Sequence, residues 1–318
     1  MVRIGTSELD VFPLCLGGNV FGWTADRAAS LAILDGFAAG GGDFVDTADV
    51  YMAAAPGNSG GESETLIGEW FTTSGRRDET VVATKVAKHP EFRGLAPANI
   101  RAAADASLTR LQTDRIDLYY AHEDDPETPL TEIVSAFDEL VRVGKVRYLG
   151  LSNWSPERVQ QYLDVADAGG FARPVALQPH YNLVHRNDVE DHLAPLALRE
   201  NLSVMPYFAL ASGFLTGKYR SKDALAGTTR AGAASRYATE QGLAIVDTLV
   251  EIGDARGVSA TTVALAWLVA KPFVAAPIAS ASKLSQLPDL LAVGNVALTP
   301  EEESALDAVS AWSPGAAA

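Results

Sequence analysis

A single closed (β/α)8 barrel, an α/β fold of the TIM type, is what this 318-residue sequence predicts. Three observations lead there. Short apolar stretches of strand length alternate with longer stretches of helical spacing, at intervals of about thirty residues. No shift in composition divides the chain, so residues 1–318 read as one domain. Side chains able to do chemistry fall where strands end, the position barrel enzymes use, and not where strands begin.

The elements follow in order. Residues 1–12 read as a small hairpin turning at Gly5-Thr6-Ser7, and 14–18 as a first short strand leaving through Gly17-Gly18-Asn19. Residues 28–39 carry Leu31, Leu34 and Phe37 towards one side of a helix, which Gly40-Gly41-Gly42 stops. Strand two is 43–46, followed by a loop rich in Gly, Ala, Asn and Ser and a helix from Glu62 carrying Leu66, Ile67, Trp70 and Phe71. Strand three is 80–85, and Pro97 opens the helix 97–111. Strand four (116–121), a helix (129–143), strand five (146–151) and a helix begun by Ser155-Pro156 continue the alternation. Strand six is 175–178, a helix covers 187–200, and strand seven is 202–207.

The rhythm then breaks. A stretch of about 212–239, rich in Gly, Ser, Thr, Lys and Arg, reads as a long loop over the barrel mouth, since loops of this length are usually functional. Helices at 240–256 and 259–269, strand eight at 273–278, helices at 285–293 and 300–309, and a tail at 313–318 complete the chain.

The composition excludes whole classes of function. With 47% hydrophobic residues the chain can bury a large core, and its net charge of −15 argues against nucleic acid and anionic membranes as partners. A single cysteine, Cys15, forbids an internal disulfide and any multi-cysteine metal site, and its apolar surroundings read as a buried, inert thiol. No apolar run approaches the roughly 20 residues needed to span a bilayer. The first residues, charged at Glu8 and Asp10, do not resemble a signal peptide, so a cytoplasmic location is expected.

Four groups stand at or just beyond successive strand ends: Asp46, Tyr51, Lys85 and His122. A phenol with a pKa of about 10 is a poor acid at neutral pH. An adjacent ammonium would lower that pKa, a carboxylate would hold the ammonium, and an imidazole would orient a carbonyl oxygen or relay the proton. Singly, Asp46, Tyr51 and His122 read as a turn cap, a half-buried aromatic and a loop histidine. Lys85 is harder to place that way, because a lysine ending a buried strand needs a partner to offset its desolvation. Together the four suit proton donation during reduction of a C=O bond. None can supply hydride, so a cofactor is required.

The chain resembles the aldo-keto reductases over nearly its whole length. The resemblance rests on Asp46-Thr47-Ala48-Asp49-Val50-Tyr51, Thr84-Lys85, Tyr120-Ala121-His122 with Asp125, and the run 144–153 from Gly144-Lys145-Val146-Arg147 to Ser152-Asn153. Gln178-Pro179-His180-Tyr181-Asn182 and Gly213-Phe214-Leu215-Thr216-Gly217-Lys218 extend it. It implies a catalytic tetrad of Asp46, Tyr51, Lys85 and His122, with Tyr51 as acid/base. It also implies a nicotinamide cofactor bound without a Rossmann fingerprint, and Gly17-Gly18-Asn19-Val20-Phe21-Gly22 indeed lacks that spacing.

By the resemblance, Ser152, Asn153 and Gln178 hold the carboxamide, an amide that needs the donors and acceptors such side chains offer. Tyr207 matches the aromatic that stacks on the nicotinamide, with Gly18, Asn19, Asp46 and Lys218 as further cofactor contacts. The segment Ser280, Ser282, Lys283, Gln286 and Asp289 matches the adenosine end at a helix start, where backbone N–H groups favour anions. Ser280 replaces a usual glycine there, and Leu290 an asparagine. NADPH is expected over NADH. Phe21, Trp23, Met52 and Trp154 are expected to line the pocket for a small-molecule carbonyl substrate: an aldehyde, ketone or keto-sugar.

Two rival readings compete with this one. His122-Glu123-Asp124-Asp125 lacks the H-E-x-x-H spacing of a metal hydrolase, and a solvated acidic loop accounts for it better, so no metal is expected. The other is a cofactor-binding regulatory protein on the same scaffold, such as the potassium channel β subunits, which little turnover would distinguish. The sequence leaves the oligomeric state open.

Overall fold

The computed structural model describes residues 1–221 and 231–312. Its centre is an eight-stranded parallel sheet curled into a barrel and wrapped by helices, a (β/α)8 fold. A two-residue antiparallel pair, β1 (Val2–Arg3) and β2 (Asp10–Val11), comes first, as the sequence predicts. The barrel strands are β3 (Cys15–Gly17), β4 (Phe44–Asp46), β5 (Val81–Val86), β8 (Ile116–Ala121), β9 (Val146–Ser152), β10 (Pro174–Gln178), β11 (Ser203–Val204) and β12 (Ile278–Ala279). Between β5 and the next helix lies a small hairpin, β6 (Lys88–His89) with β7 (Phe92–Arg93), which the sequence reading did not anticipate.

The sheet runs β11-β10-β9-β8-β5-β4-β3-β12. Closure between its two ends comes from the stretch before β12. Val204 N–H donates to Phe273 O at 2.8 Å, Ala275 N–H to Val204 O at 3.1 Å, and Ile278 N–H to Pro206 O at 2.9 Å. Strand eight is therefore divided. Its 273–275 part pairs with β11, and Ile278–Ala279 pairs with β3.

Helices α1 (Arg27–Ala39), α2 (Glu62–Ser74), α3 (Pro97–Leu111), α4 (Leu130–Arg142), α5 (Pro156–Gly169) and α6 (Ala194–Glu200) cover the outside. Local chemistry sets their limits. Asp26 caps α1 by accepting the Ala29 N–H, and Ser155 caps α5 with Pro156 in the first turn. The predicted helix over 187–200 begins instead with a wider turn at Val189–Leu193. Pro195 lies just after that turn and has no N–H to give, which accounts for the local change of pattern.

Within the long segment predicted as loop, residues Ala211–Thr216 form a 3-10 turn and α7 (Ala231–Ser235) a short helix, while 222–230 lie outside the described residues, as does the tail 313–318. Helices α8 (Glu240–Arg256), α9 (Ala260–Val269), α10 (Leu287–Leu291) and α11 (Pro300–Val309) close the chain, α10 being flanked by 3-10 turns where one helix over 285–293 is predicted.

Two cores result from the alternation of strand side chains. Val45, Val82, Tyr119 and Leu177 point outwards and pack under the helices. Phe44, Ala83, Leu118, Tyr120, Ala176 and Met205 point inwards and fill the barrel. Ile4, Leu9 and Val11 of the first hairpin join this inner core, and Gly5 N–H donates to Ser203 Oγ at 2.7 Å. The hairpin thus plugs the end at which the strands begin. Gly5 lies so close to Val175 O that a Cβ would meet it at 2.4 Å. Among the described residues no helix is long and apolar enough to cross a membrane.

Candidate functional site

The same period of two delivers the site. Asp46 comes two residues after Phe44, Lys85 two after Ala83, His122 two after Tyr120 and Gln178 two after Ala176, so each continues an inward-facing row at the open end. The ladder pairs Asp46 with Ala83 and Lys85 with Tyr120, so the strand ends are staggered, Lys85 lying two positions beyond Asp46 and His122 two beyond Lys85.

Lys85 is wholly buried, and its ammonium uses three donors on three acceptors: Asp46 Oδ2 at 2.6 Å, Thr47 O at 2.7 Å and the Tyr51 hydroxyl at 2.8 Å. The Tyr51 hydroxyl in turn donates to Asp46 Oδ2 at 3.0 Å. Gln178 Nε2 donates to Asp46 Oδ1 at 2.9 Å, so both carboxylate oxygens are engaged. Burial pulls the Lys85 pKa down, and Asp46 opposes the shift. For Tyr51 the sequence expectation is reversed: burial, followed by the charge of Asp46, pushes the phenol well above its ordinary value. Lys85 does not outweigh them, and the phenol stays protonated.

His122 stands edge-on to Tyr51, with ring centroids 6.1 Å apart at 76°. Burial, then Lys85 and Lys88, hold the imidazole well below its usual pKa, so it is neutral, and its buried Nδ1 has no hydrogen-bond partner. All four tetrad residues therefore come together, with His122 reaching Tyr51 through ring contact only.

A polar band leads away from them. Ser152 Oγ donates to Gln178 O at 2.9 Å, and Asn153 Nδ2 to His122 O at 2.9 Å and Ser152 Oγ at 3.0 Å. Asn153, at φ 60°, accepts the Tyr207 hydroxyl on Oδ1 at 2.7 Å. On the other side, Gly18 N–H donates to Asp46 O at 2.7 Å, and Ser280 Oγ meets Asn19 Oδ1 at 2.5 Å across β12 and β3.

Beyond it, the Ser282 and Lys283 N–H groups both donate to Gln286 Oε1, at 2.8 and 3.1 Å, and Ser282 Oγ lies 3.0 Å from Thr24 Oγ1. Lys283 and Asp289 are exposed, whereas Leu290 is buried in the core and cannot face a ligand. Lys218 lies over the ring of Tyr219 at 4.7 Å. Of the expected pocket walls, Trp23 is 46% exposed and Met52 is half-buried at φ 65°, while Phe21 and Trp154 pack within the outer core.

Two features were not assigned from the sequence. His180, Tyr237 and Arg236 gather behind Tyr207, and only the motif Gln178-Pro179-His180 hinted at them. Beneath Lys85 lies a buried acidic pair. Glu64 accepts from Thr84 Oγ1 at 2.5 Å and Arg110 Nε at 2.6 Å, and Asp49 has both oxygens buried without a hydrogen bond. Burial, followed by Glu64, pushes Asp49 up to about 8.

The donor set fits a nicotinamide cofactor. Asn153, Gln178 and Ser152 present amide and hydroxyl groups side by side, the buried His122 Nδ1 awaits a partner, and Tyr207 offers a ring beside them.

A model of the aldo/keto reductase family matches residues 13–311. Protein tas of Escherichia coli K12 is 33% identical over 312 residues, covering 90% of each chain. Norsolorinic acid reductase B of Aspergillus parasiticus is 32% identical over 97% of this chain and 83% of its own. A probable voltage-gated potassium channel subunit beta of Oryza sativa subsp. japonica is 32% identical over 96% of this chain and 95% of its own.

Proposed function

The chain belongs to the aldo/keto reductase family, and from that premise we propose that it is an NADPH-dependent carbonyl reductase, converting an aldehyde, ketone or keto-sugar to the alcohol. One observation carries the reading: a protonated phenol hydroxyl lies 2.8 Å from a fully buried ammonium that a carboxylate holds at 2.6 Å. NADPH, when bound, supplies the hydride that the carbonyl carbon takes up. The Tyr51 hydroxyl gives its proton to the carbonyl oxygen, and the phenolate left behind is stabilised by the Lys85 ammonium. Asp46 keeps Lys85 charged despite its burial. Neutral His122 orients the carbonyl oxygen, a task for which a protonated imidazole is not needed.

Ser152, Asn153 and Gln178 hold the carboxamide, and Tyr207 stacks on the nicotinamide. Gly18, Asn19 and Lys218 serve the middle of the cofactor, and Ser280, Ser282, Lys283, Gln286 and Asp289 its adenosine end. The preference for NADPH is supported by the exposed ammonium of Lys283 beside the Ser282 hydroxyl, a cation and a polar group suited to a phosphate. Trp23 and Met52 form the accessible pocket wall, backed by Phe21 and Trp154.

The test is NADPH and NADH consumption against a panel of aldehydes, ketones and keto-sugars. NADPH-linked turnover of at least one class is expected. Tight cofactor binding with no turnover across the panel would overturn the reading in favour of a redox-sensing protein on the same scaffold.

A further inference from the structure

Tyr207 does not stand alone. Its ring stacks on His180, with centroids 5.6 Å apart at 18°, and His180 stacks in turn on His185 at 3.9 Å and 12°. His180 is thus the middle plate of three. Asn182, fully buried, fixes its edge. The Asn182 Oδ1 accepts the Val184 N–H at 2.9 Å, which identifies the other amide atom as the nitrogen. That Nδ2 donates to Phe208 O at 2.8 Å and faces His180 Nε2 at 3.3 Å. The contact makes Nε2 the acceptor and places the ring proton on Nδ1.

Asn182 therefore ties the imidazole to the backbone next to Tyr207. The backbone there needs a tie. Phe208 has φ 53°, a left-handed conformation that bulky residues rarely adopt, and its carbonyl also accepts the Ala211 N–H at 2.7 Å.

A second restraint arrives from the segment preceding α8. The Tyr237 hydroxyl lies 3.2 Å from His180 Nε2 and accepts from Arg236 at 2.6 Å. Arg236 also lies over the rings of Phe208 and Tyr237. Burial, then His185 and Arg236, depress His180 to about 3, so the plate stays neutral at any working pH.

We propose that His180 is a positioning residue for the nicotinamide end of the cofactor, holding Tyr207 flat from behind while Asn182 and Tyr237 hold His180. This rests on the reading that Tyr207 stacks on the nicotinamide. The cofactor gains its stacking energy only if the ring is already oriented, because an unfixed ring must first be ordered. Two otherwise distant parts of the chain, the turn after β10 and the residues before α8, thereby converge on one ring.

The experiment is equilibrium binding of NADPH, by calorimetry, to the wild type, Tyr207→Ala, His180→Leu and His180→Phe. A fragment of the cofactor that keeps the adenosine bisphosphate and lacks the nicotinamide serves as the second ligand. His180→Leu is expected to weaken NADPH binding ~3- to 10-fold, the range of an aromatic pair, and to leave fragment binding unchanged. His180→Phe, which keeps a planar ring, should restore NADPH binding to within ~2-fold.

Unchanged NADPH binding in His180→Leu, with Tyr207→Ala weakened, overturns the proposal and leaves Tyr207 as the platform. Unchanged binding in Tyr207→Ala removes the platform itself, and the proposal with it. Equal loss of both ligands in His180→Leu shows general damage and also overturns the proposal. Should His180→Leu fail to fold, Tyr237→Phe, which removes only the hydroxyl at Nε2, is read by the same criteria.

Discussion

Lys85 and Asp46 meet at 2.6 Å with neither side chain reaching solvent, and the ammonium has no water to fall back on. Removing one partner of such a buried pair leaves the other charge uncompensated, whereas an exposed pair would be lost at little cost. Lys85→Met should destabilise the fold by roughly 3–5 kcal/mol and abolish turnover. Urea denaturation monitored by circular dichroism would expose an error here, if the midpoint does not move.

Tyr51→Phe keeps the ring against His122 and loses the proton donor. The expected result is a fall in kcat of roughly 100- to 10,000-fold, the usual worth of a positioned general acid, with NADPH affinity nearly unchanged. Stopped-flow reduction of a responsive aldehyde measures both. Near-normal turnover would remove Tyr51 from the mechanism.

Asp49 holds its proton up to about 8 in the folded protein, against 3.8 for a free side chain, because burial and Glu64 disfavour its charge. The folded state thus keeps a proton that the unfolded chain gives up. The contribution of this group to stability is full below about 4 and is lost as pH rises through about 8. Asp49→Asn, which mimics the neutral acid, should flatten that dependence and gain roughly 1–3 kcal/mol at alkaline pH. Thermal melts across the pH range decide it; parallel curves for the two proteins would refute the assignment.

Lys283→Ala should raise the KM for NADPH roughly 10-fold or more, the worth of a hydrogen bond to a charged group, and leave the KM for NADH unaltered. Equal effects on both cofactors would mean that Lys283 does not meet the extra phosphate.

The barrel and the tetrad were legible because both follow from short-range rules. Strand alternation aims Asp46, Lys85, His122 and Gln178 inwards, and a residue two places along an apolar strand can be found without coordinates. The ionisation of Tyr51 could not be read that way. Its direction depends on whether Asp46 or Lys85 dominates at about 3 Å and on how much water reaches them.

The β6–β7 hairpin escaped notice because two-residue strands around His89-Pro90-Glu91 carry no periodicity. The stack behind Tyr207 escaped because residues 180, 185, 207 and 237 share no local pattern. Ser280 and Leu290 were visible as departures, and the fold accounts for them separately. The Ser280 hydroxyl bridges to Asn19, while Leu290 turns into the core.

The hairpin at the start of the chain seals one end of the barrel. Between that seal and the site the interior is packed with Phe44, Leu118, Tyr120 and Met205, so approach is from the end where the strands finish and every molecule leaves by the way it came. Whichever ligand lies deeper must enter first and depart last, and if that is the dinucleotide, its release waits until the alcohol has gone. Order of entry and exit would then be a matter of architecture, imposed by the packed interior beneath the site.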